Sequence, residues 1–247
     1  MSSKLALNMI RYYSINFDFP KRSKKEIIFI ILHYTGMKKE SKAIQKLCDS
    51  KSKVSAHYFV KKNGEILNLV PDLYKAWHAG KSSWKKLKSL NRYSIGIEIS
   101  NPGHDYGYRK FSSKQISAII KLLKFLSKKY NIKKQNILGH SDIAPNRKKD
   151  PGEKFPWKRL AIKNLSTWHN LNENKIRKYR NLKLEFFEEK MFFNNLHYIG
   201  YPRINSSKNN KKTKLIKSFQ RKYRQNLING KIDQECLLIS RNLIKKK

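Results

Sequence analysis

The sequence predicts an α/β domain followed by a small all-α module. Up to about Leu160, short β-branched or alternating runs are interleaved with amphipathic helical stretches, the arrangement that produces an α/β fold. From about Ile162 onward the strand pattern stops and only helical spacing of apolar residues continues. The chain has 247 residues, of which 39% are hydrophobic, enough for one large domain and a small partner. We therefore expect a lead-in at residues 1–14, a first domain at 15–165 and a helical domain at 175–247.

The first strands are predicted from β-rich runs. Ile27–Leu32 is six consecutive apolar residues, too short for a stable helix and typical of a buried central strand. His57–Val60 and Glu65–Val70 flank Lys62-Asn63-Gly64, whose Asn-Gly dipeptide favours a hairpin turn with positive φ at both central residues. This part of the chain should therefore contain a buried strand followed by an antiparallel hairpin.

Two further strands and a loop complete the first domain. Tyr93–Ile99 alternates, with its isoleucines on one face, and Asn136–Gly139 is long enough only for a short strand. Ile143–Trp157 is punctuated by proline and glycine, which predicts a loop.

Four segments have apolar residues at helical spacing: Ser41–Cys48, Ser112–Tyr130, Lys214–Tyr223 and about Asp233–Ile244. The longest has Ser112 or Ser113 as a natural N-cap and should pack one face on a sheet. The Ser, Asn and Lys residues at 206–212 are typical of a linker.

The charge balance is strongly basic, with 56 Lys and Arg against 17 Asp and Glu and a net charge of +39. Such a chain is attracted to polyanions, including nucleic acid and acidic cell-wall polymers. Lysine greatly outnumbers arginine, however, and a surplus of Lys with Ile and Asn also arises from codon usage. Two cysteines, Cys48 and Cys236, exclude a disulfide framework and a Cys-rich zinc module.

Candidate metal ligands follow two of the predicted strands. His33 comes directly after Ile27–Leu32, His140 comes directly after Asn136–Gly139, and Asp150 lies ten residues later between two prolines. Two imidazoles and one carboxylate form a three-ligand zinc set that keeps a fourth position for water. From spacing alone, the alternative remains open that both histidines are satisfied core residues and that Asp150 caps a turn.

Four separated motifs extend this interpretation: His33-Tyr34-Thr35, Ala76-Trp77-His78-Ala79-Gly80, Ser94-Ile95-Gly96-Ile97-Glu98, and the segment from Gly139 to Gly152. In order and spacing they closely resemble the zinc-dependent N-acetylmuramoyl-L-alanine amidases, which are related to phage lysozyme-like amidases and peptidoglycan-recognition proteins. The resemblance covers roughly residues 15–160 and implies a mixed β-sheet flanked by helices. Residues 215–223 and 229–233 more weakly resemble the helical peptidoglycan-binding module of some such enzymes.

The resemblance also implies roles for individual residues. His33, His140 and Asp150 match the ligands of one zinc ion, Glu98 matches the glutamate that handles the water proton, and Lys148 matches the lysine that stabilises the oxyanion. Each role has an alternative in this chain. Glu98 lies opposite the isoleucines of an alternating strand, as a solvent-facing residue does, and Lys149 is adjacent to Lys148. Asp142 is a competing ligand, for which we favour a structural role.

Substrate contacts are expected from Trp77, His78 and Asn101, although the first two are equally consistent with packing inside the domain. We assign a structural role to His57 and His104 and no role to His169 and His197, which lie beyond the first domain. Cys48 is expected to pack.

The resemblance implies a bacterial hydrolase that cuts the amide bond between N-acetylmuramic acid, or its anhydro form, and L-alanine in peptidoglycan or muropeptides. One alternative is a non-catalytic peptidoglycan-recognition module, which need not retain Glu98 and Lys148 beside the ligands. A specific nucleic-acid-binding protein is disfavoured, because arginine is preferred for recognising bases and phosphates and is scarce here.

The sequence offers two interpretations of the compartment. The apolar patch in residues 1–10 is too short for a signal-peptide core, and these residues contain no cysteine that could carry a lipid. The longest apolar run in the sequence has six residues, too few for a transmembrane segment. These features favour the cytoplasm, whereas the family resemblance offers the cell envelope as the alternative.

Overall fold

The computed structural model describes residues 9–203 and 209–245, which form two compact units. The first unit contains residues up to 80 together with 89–138, and the second contains 81–88 and the residues from 139 onward. Most of the predicted lead-in at 1–14 and the first half of the predicted linker at 206–212 lie outside the described residues. Residues 209–212 already belong to a helix, so that half of the linker prediction is wrong.

The described strands are, in chain order, β1 (Met9–Arg11), β2 (Phe17–Asp18), β3 (Phe29–Tyr34), β4 (Tyr58–Val60), β5 (Ile66–Asn68), β6 (Lys75–Ala76), β7 (Ser83–Trp84), β8 (Leu87–Lys88), β9 (Ser94–Ile99) and β10 (Ile137–Gly139). The described α-helices are α1 (Glu40–Cys48), α2 (Ser113–Tyr130), α3 (His140–Ile143), α4 (Trp157–Ile162), α5 (Glu173–Ile176), α6 (Phe186–Ile199), α7 (Asn209–Tyr223) and α8 (Gln234–Lys245).

Six strands form the main sheet, in the order β1-β5-β4-β9-β3-β10. The β3–β9, β9–β4 and β5–β1 pairs are parallel, whereas the β4–β5 pair is antiparallel. The sheet is therefore mixed and flanked by helices, which confirms the predicted fold class. The run predicted as Ile27–Leu32 begins two residues later and continues to Tyr34, so His33 lies inside the strand instead of after it.

The hairpin is confirmed, but its turn differs from the prediction. Lys61 and Glu65 close the loop through a bond from the Lys61 amide to the Glu65 carbonyl, and of the turn residues Asn63 and Gly64 only Gly64 has positive φ, at +89°. The loop is thus three residues long, with a glycine in the left-handed region. The predicted residues Lys62-Asn63-Gly64 do form the turn, whereas the positive φ predicted for Asn63 is wrong.

The helix α2 follows the prediction closely. The Ser112 side chain accepts a hydrogen bond from the Gln115 amide, and the Gln115 side chain accepts one from the Ser112 amide, which forms a capping box. The helix ends at Asn131, which adopts the left-handed conformation. Ile119 and Leu123 of its apolar stripe are fully buried.

The second unit is helical apart from the β7–β8 hairpin, within residues 81–88, 139–203 and 209–245. Its core contains Phe192, Phe219 and Tyr223, whose rings pack edge to face or tilted at centroid distances of 5.2–5.3 Å. The predicted all-α character of the C-terminal region is confirmed. No helix in the described ranges is long and apolar enough to cross a lipid bilayer.

Candidate metal centre

Strand pairing fixes the position of His33. It lies in β3 directly opposite Glu98 of the parallel strand β9, and paired residues of neighbouring strands project from the same face of a sheet. His33 is buried and Glu98 is half-buried. Ile95, Ile97 and Ile99 project from the other face and are fully buried. The alternation that suggested a solvent-facing Glu98 thus brings it to the face that carries His33.

A short hydrogen-bonded chain orients the His33 ring. His33 Nε2 lies 3.0 Å from His78 Nδ1, and His78 Nε2 lies 3.2 Å from the Ser94 hydroxyl oxygen. That hydroxyl donates to the Leu90 carbonyl at 2.6 Å, so it has no second proton for His78. His78 Nε2–H must therefore donate to Ser94, and His33 Nε2–H must donate to His78 Nδ1. The lone pair of the His33 imidazole is consequently on Nδ1, as a metal ligand requires.

The His78 ring lies directly over Gly96. A Cβ atom at Gly96 would come within 2.3 Å of His78 Cγ, so a side chain there would displace the ring. His57 packs edge-on against His78 at 5.6 Å, and burial followed by the nearby Arg22 lowers the pKa of His57 to about 3. His57 therefore stays neutral and packs, in agreement with the structural role expected for it.

The second candidate group lies in the segment from His140 to Asp150. His140 is the first residue of α3, and its Nδ1 lies 3.1 Å from Asp150 Oδ2. Arg147 Nη2 lies 3.3 Å from His140 Nε2. Because a guanidinium only donates, Nε2 must accept and Nδ1–H must donate to the Asp150 carboxylate. Both side chains are buried, and the Ser141 amide closes the segment by donating to the Asp150 carbonyl at 2.8 Å.

One group of three histidine and carboxylate side chains in the described part of the chain could hold a metal ion, and it consists of His33, His140 and Asp150. One possible ligand atom from each of these buried residues lies within 4.8 Å of the others. Two imidazole nitrogens and one carboxylate oxygen are a donor set that suits zinc. The cluster therefore fits a metal of this type.

The two lysines between these ligands differ in exposure. Lys148 is half-buried and its amide donates to the Ala144 carbonyl, whereas Lys149 is exposed. Burial strengthens the electrostatic effect of a charged group. The lower exposure of Lys148 therefore favours it over Lys149 as the lysine that would stabilise an oxyanion.

The contacts of Asp142 are those of a structural residue, the role that the sequence analysis favours. It is 1% exposed, and its carboxylate accepts hydrogen bonds at 2.8 Å from the Gly139 amide, the Tyr201 hydroxyl and the Lys222 ammonium. Burial acts to lower the pKa of Lys222, but the adjacent carboxylate outweighs this and raises it.

The residues expected to contact substrate are engaged within the protein. The Trp77 indole N–H donates to Asp18 at 2.7 Å, and the ring remains half-buried. His78 is buried against His33, so the packing alternative describes it better than a substrate groove. Asn101 is buried; its amide donates to the Arg109 carbonyl and accepts from the Gly103 amide, which shapes the loop after β9.

Three residues near the site were missed from the sequence. Arg147 lies inside the fourth motif, where its charge beside a candidate ligand was a usable signal. Tyr201 and Lys222 lie 59 and 80 residues from Asp142, and no local pattern connects them to it.

Comparisons with known proteins agree on one family. The profile of the N-acetylmuramoyl-L-alanine amidases matches residues 23–153. The chain is 33% identical over 229 residues to the N-acetylmuramoyl-L-alanine amidase AmiD of Escherichia coli, covering 88% of this chain and 82% of AmiD.

Two solved structures match nearly the whole chain. AmiD of E. coli, in complex with the substrate anhydro-N-acetylmuramic acid-L-Ala-D-γ-Glu-L-Lys, has a TM-score of 0.79 at 32% identity, covering 93% of each chain. AmpDh3 of Pseudomonas aeruginosa, in complex with anhydromuramic pentapeptide, also has a TM-score of 0.79, at 28% identity over 93% of this chain and 95% of that one.

Proposed function

This chain belongs to the N-acetylmuramoyl-L-alanine amidase family, and from that premise we propose that it is a zinc enzyme acting on anhydro-muropeptides. The bond it cuts joins the lactyl group of the muramic acid to L-alanine. The observation that carries the zinc assignment is the buried cluster of His33, His140 and Asp150. A zinc ion held there would polarise the scissile carbonyl and lower the pKa of bound water to about 7.

The residues around the cluster have complementary tasks. His78 holds the His33 ring through the hydrogen-bonded chain that ends at the Leu90 carbonyl, so Nδ1 is the ring nitrogen that would bind the metal. The proton that His140 Nδ1 shares with Asp150 would be displaced when both bind a cation. Zinc affinity should therefore fall as the pH is lowered.

We assign proton transfer to Glu98. It projects from the sheet face that carries His33, and its carboxylate can accept a proton from the attacking water and deliver it to the leaving amine of L-alanine. General acid–base catalysis of this kind contributes roughly 10²–10⁴-fold to a rate.

We assign oxyanion stabilisation to Lys148. Lys148 is half-buried and follows His140 in the same segment, and its ammonium group would balance the negative charge that develops on the carbonyl oxygen. A single donor of this kind contributes about 10²–10³-fold.

Anhydro-muropeptides are favoured as substrates because two relatives with matching folds were solved with ligands of that class. We also retain, as a prediction, a role for residues 175–247 in contacting the glycan polymer. Truncation is a poor test of that role, because Lys222 and Tyr201 bond to Asp142. Salt-dependent pelleting of the full chain with cell-wall sacculi tests it directly, since screening at 1 M salt shortens the electrostatic range to about 3 Å.

The function is tested by reconstitution. Metal-free protein is titrated with zinc and assayed on soluble anhydro-muropeptides and on sacculi, with product masses measured for both. We expect one equivalent of zinc to restore release of the free peptide. Zinc-independent hydrolysis would overturn the metal assignment, and binding without cleavage would support the recognition-module alternative.

A further inference from the structure

A buried carboxylate connects the candidate metal segment to the C-terminal helices, all within the second unit. Asp142 lies two residues after His140 and accepts hydrogen bonds from Tyr201, which follows α6, and Lys222, which lies on α7. A third contact runs from the Ser218 hydroxyl of α7 to the Ser141 carbonyl at 2.7 Å.

Lys222 is unusual among the lysines of this basic chain, because its side chain is only 2% exposed. Its ammonium group lies 2.8 Å from Asp142 and 4.4 Å from the centre of the Trp157 ring. A buried ion pair adds little net stability compared with apolar packing of the same volume, because removing both charges from water is costly. Such a pair is therefore better explained by the geometry that it imposes.

The contacts fix the backbone on both sides of His140. Asp142 Oδ2 accepts the Gly139 amide, which sets the turn from β10 into α3, while Ser218 holds the Ser141 carbonyl. The Ser141 amide in turn donates to the Asp150 carbonyl. The direction in which His140 leaves the chain, and its approach to Asp150, thus depend on α7.

We propose that Lys222, with Tyr201 and Ser218, forms a positioning group that holds the His140–Asp150 segment in its metal-binding geometry. The C-terminal region thereby takes part in building the metal centre in addition to any contact with polymer. The proposal rests on the proposed function, in that His140 and Asp150 are taken as zinc ligands. None of the three residues needs to touch substrate.

The test compares variants of the full chain by zinc affinity, measured by chelator competition, and by the absorption spectrum of the cobalt-substituted protein. Lys222→Met removes the ammonium group and keeps most of the side-chain volume, and Tyr201→Phe removes one hydroxyl. We expect zinc affinity to fall by about 10–100-fold, the usual effect of changing a residue that supports a ligand, together with a changed cobalt spectrum.

Two controls separate positioning from stability. Arg180→Met breaks a bidentate ion pair with Glu235 in the same unit, at 2.6 and 2.8 Å, without removing any contact to Asp142. Tyr130→Phe removes a hydroxyl that bonds to another buried carboxylate, Asp72, at 2.6 Å. Both should lower the melting temperature and leave zinc affinity and the cobalt spectrum unchanged. If Lys222→Met and Tyr201→Phe behave like these controls, the proposal is wrong.

A paired variant covers the case in which Lys222→Met fails to fold. Asp142→Asn combined with Lys222→Met removes both charges and keeps an oxygen that can accept the Gly139 amide, so we expect folding and zinc affinity within about tenfold of the unaltered protein. A folded double variant with no zinc binding would overturn the proposed geometry. An unaltered protein that binds no zinc would instead refute the proposed function.

Discussion

The two histidines of the candidate metal centre are positioned in different ways. His33 lies inside a six-residue strand whose backbone pairs with β9 along its whole length. His140 begins a four-residue helix, and its backbone depends on the Asp142 carboxylate, which accepts hydrogen bonds from the Gly139 amide and from the distant Lys222. Strand pairing fixes the first residue, whereas buried side chains fix the second.

This difference indicates where the site is robust. Losing one side-chain bond around His33 changes the orientation of its ring but leaves its backbone in the sheet. Losing one around His140 removes a hydrogen bond that sets the backbone at Gly139 or Ser141, so the backbone itself should shift. Variants of the two histidines and of the residues around them test this contrast.

We expect the largest effect from removing either histidine, because both are proposed to hold the metal. We expect His33→Ala and His140→Ala each to lose stoichiometric zinc, and to lose more activity than the roughly 10²–10³-fold that a single stabilising donor contributes. Elemental analysis and muropeptide hydrolysis measure the two losses. His104→Ala, which alters a histidine bonded to Tyr34, serves as the control and should retain zinc.

Glu98→Gln tests the acid–base role that we propose for Glu98 in strand β9. The amide keeps the shape of the side chain but cannot carry the proton, so kcat should fall by about 10²–10⁴-fold while zinc remains bound. Loss of zinc from this variant would show that Glu98 supports the metal instead of the proton transfer.

Lys148→Ala tests the proposed stabilisation of the oxyanion by Lys148. We expect a loss of about 10²–10³-fold in kcat with zinc retained. The exposed neighbour offers a matched control, because Lys149→Ala removes the same charge one residue away. An inactive Lys149→Ala beside an active Lys148→Ala would reverse the assignment.

His78→Phe tests the orientation of His33 alone. Phenylalanine keeps an aromatic ring over Gly96 but cannot accept the His33 proton, so zinc affinity should fall by about 10–100-fold. The backbone of β3 should be unaffected, which amide hydrogen exchange can verify. Unchanged affinity would show that the sheet alone orients the ligand.

The smallest effect concerns pH and the stability of the first unit. Since the pKa of His57 is lowered to about 3 in the folded chain, the unfolded chain takes up a proton below about pH 6.5 while the folded chain does not. The contribution of neutral His57 to the free energy of unfolding is therefore complete above about pH 6.5, and the free energy of unfolding should fall by about 1.4 kcal/mol by pH 5.5. Urea unfolding of the metal-free protein measures the slope, and His57→Gln should reduce it.

The same contrast explains which features could be predicted from the sequence. The alternation of residues 95–99 and the apolar run before His33 predicted both strands, and their pairing follows from the fold. The edge strand β1 escaped because three residues of mixed character give no periodic signal. The residues of the hairpin turn were predicted correctly but its backbone conformation was not, since the Asn-Gly dipeptide does not determine which of its residues adopts positive φ.

The family motifs located His140 and Asp150 but gave no account of what holds them. Asp142 is part of the same motif, yet its partners Tyr201 and Lys222 lie among many other polar residues, and no local signal connects either of them to Asp142. A lysine that will be buried cannot be distinguished in the sequence from one that will be exposed, because its burial depends on the packing of the folded chain.

The contact between Asp142 and Lys222 also has a consequence for biosynthesis. It joins residues 80 positions apart, and ribosomes add about 5–20 residues per second. The metal-binding segment thus waits about 4–16 seconds after its own synthesis before the residue that neutralises Asp142 exists. During that interval the nascent chain holds a carboxylate without its buried partner, so this segment should stay open to water and chaperones. Zinc loading should accordingly be among the last events in the maturation of the enzyme.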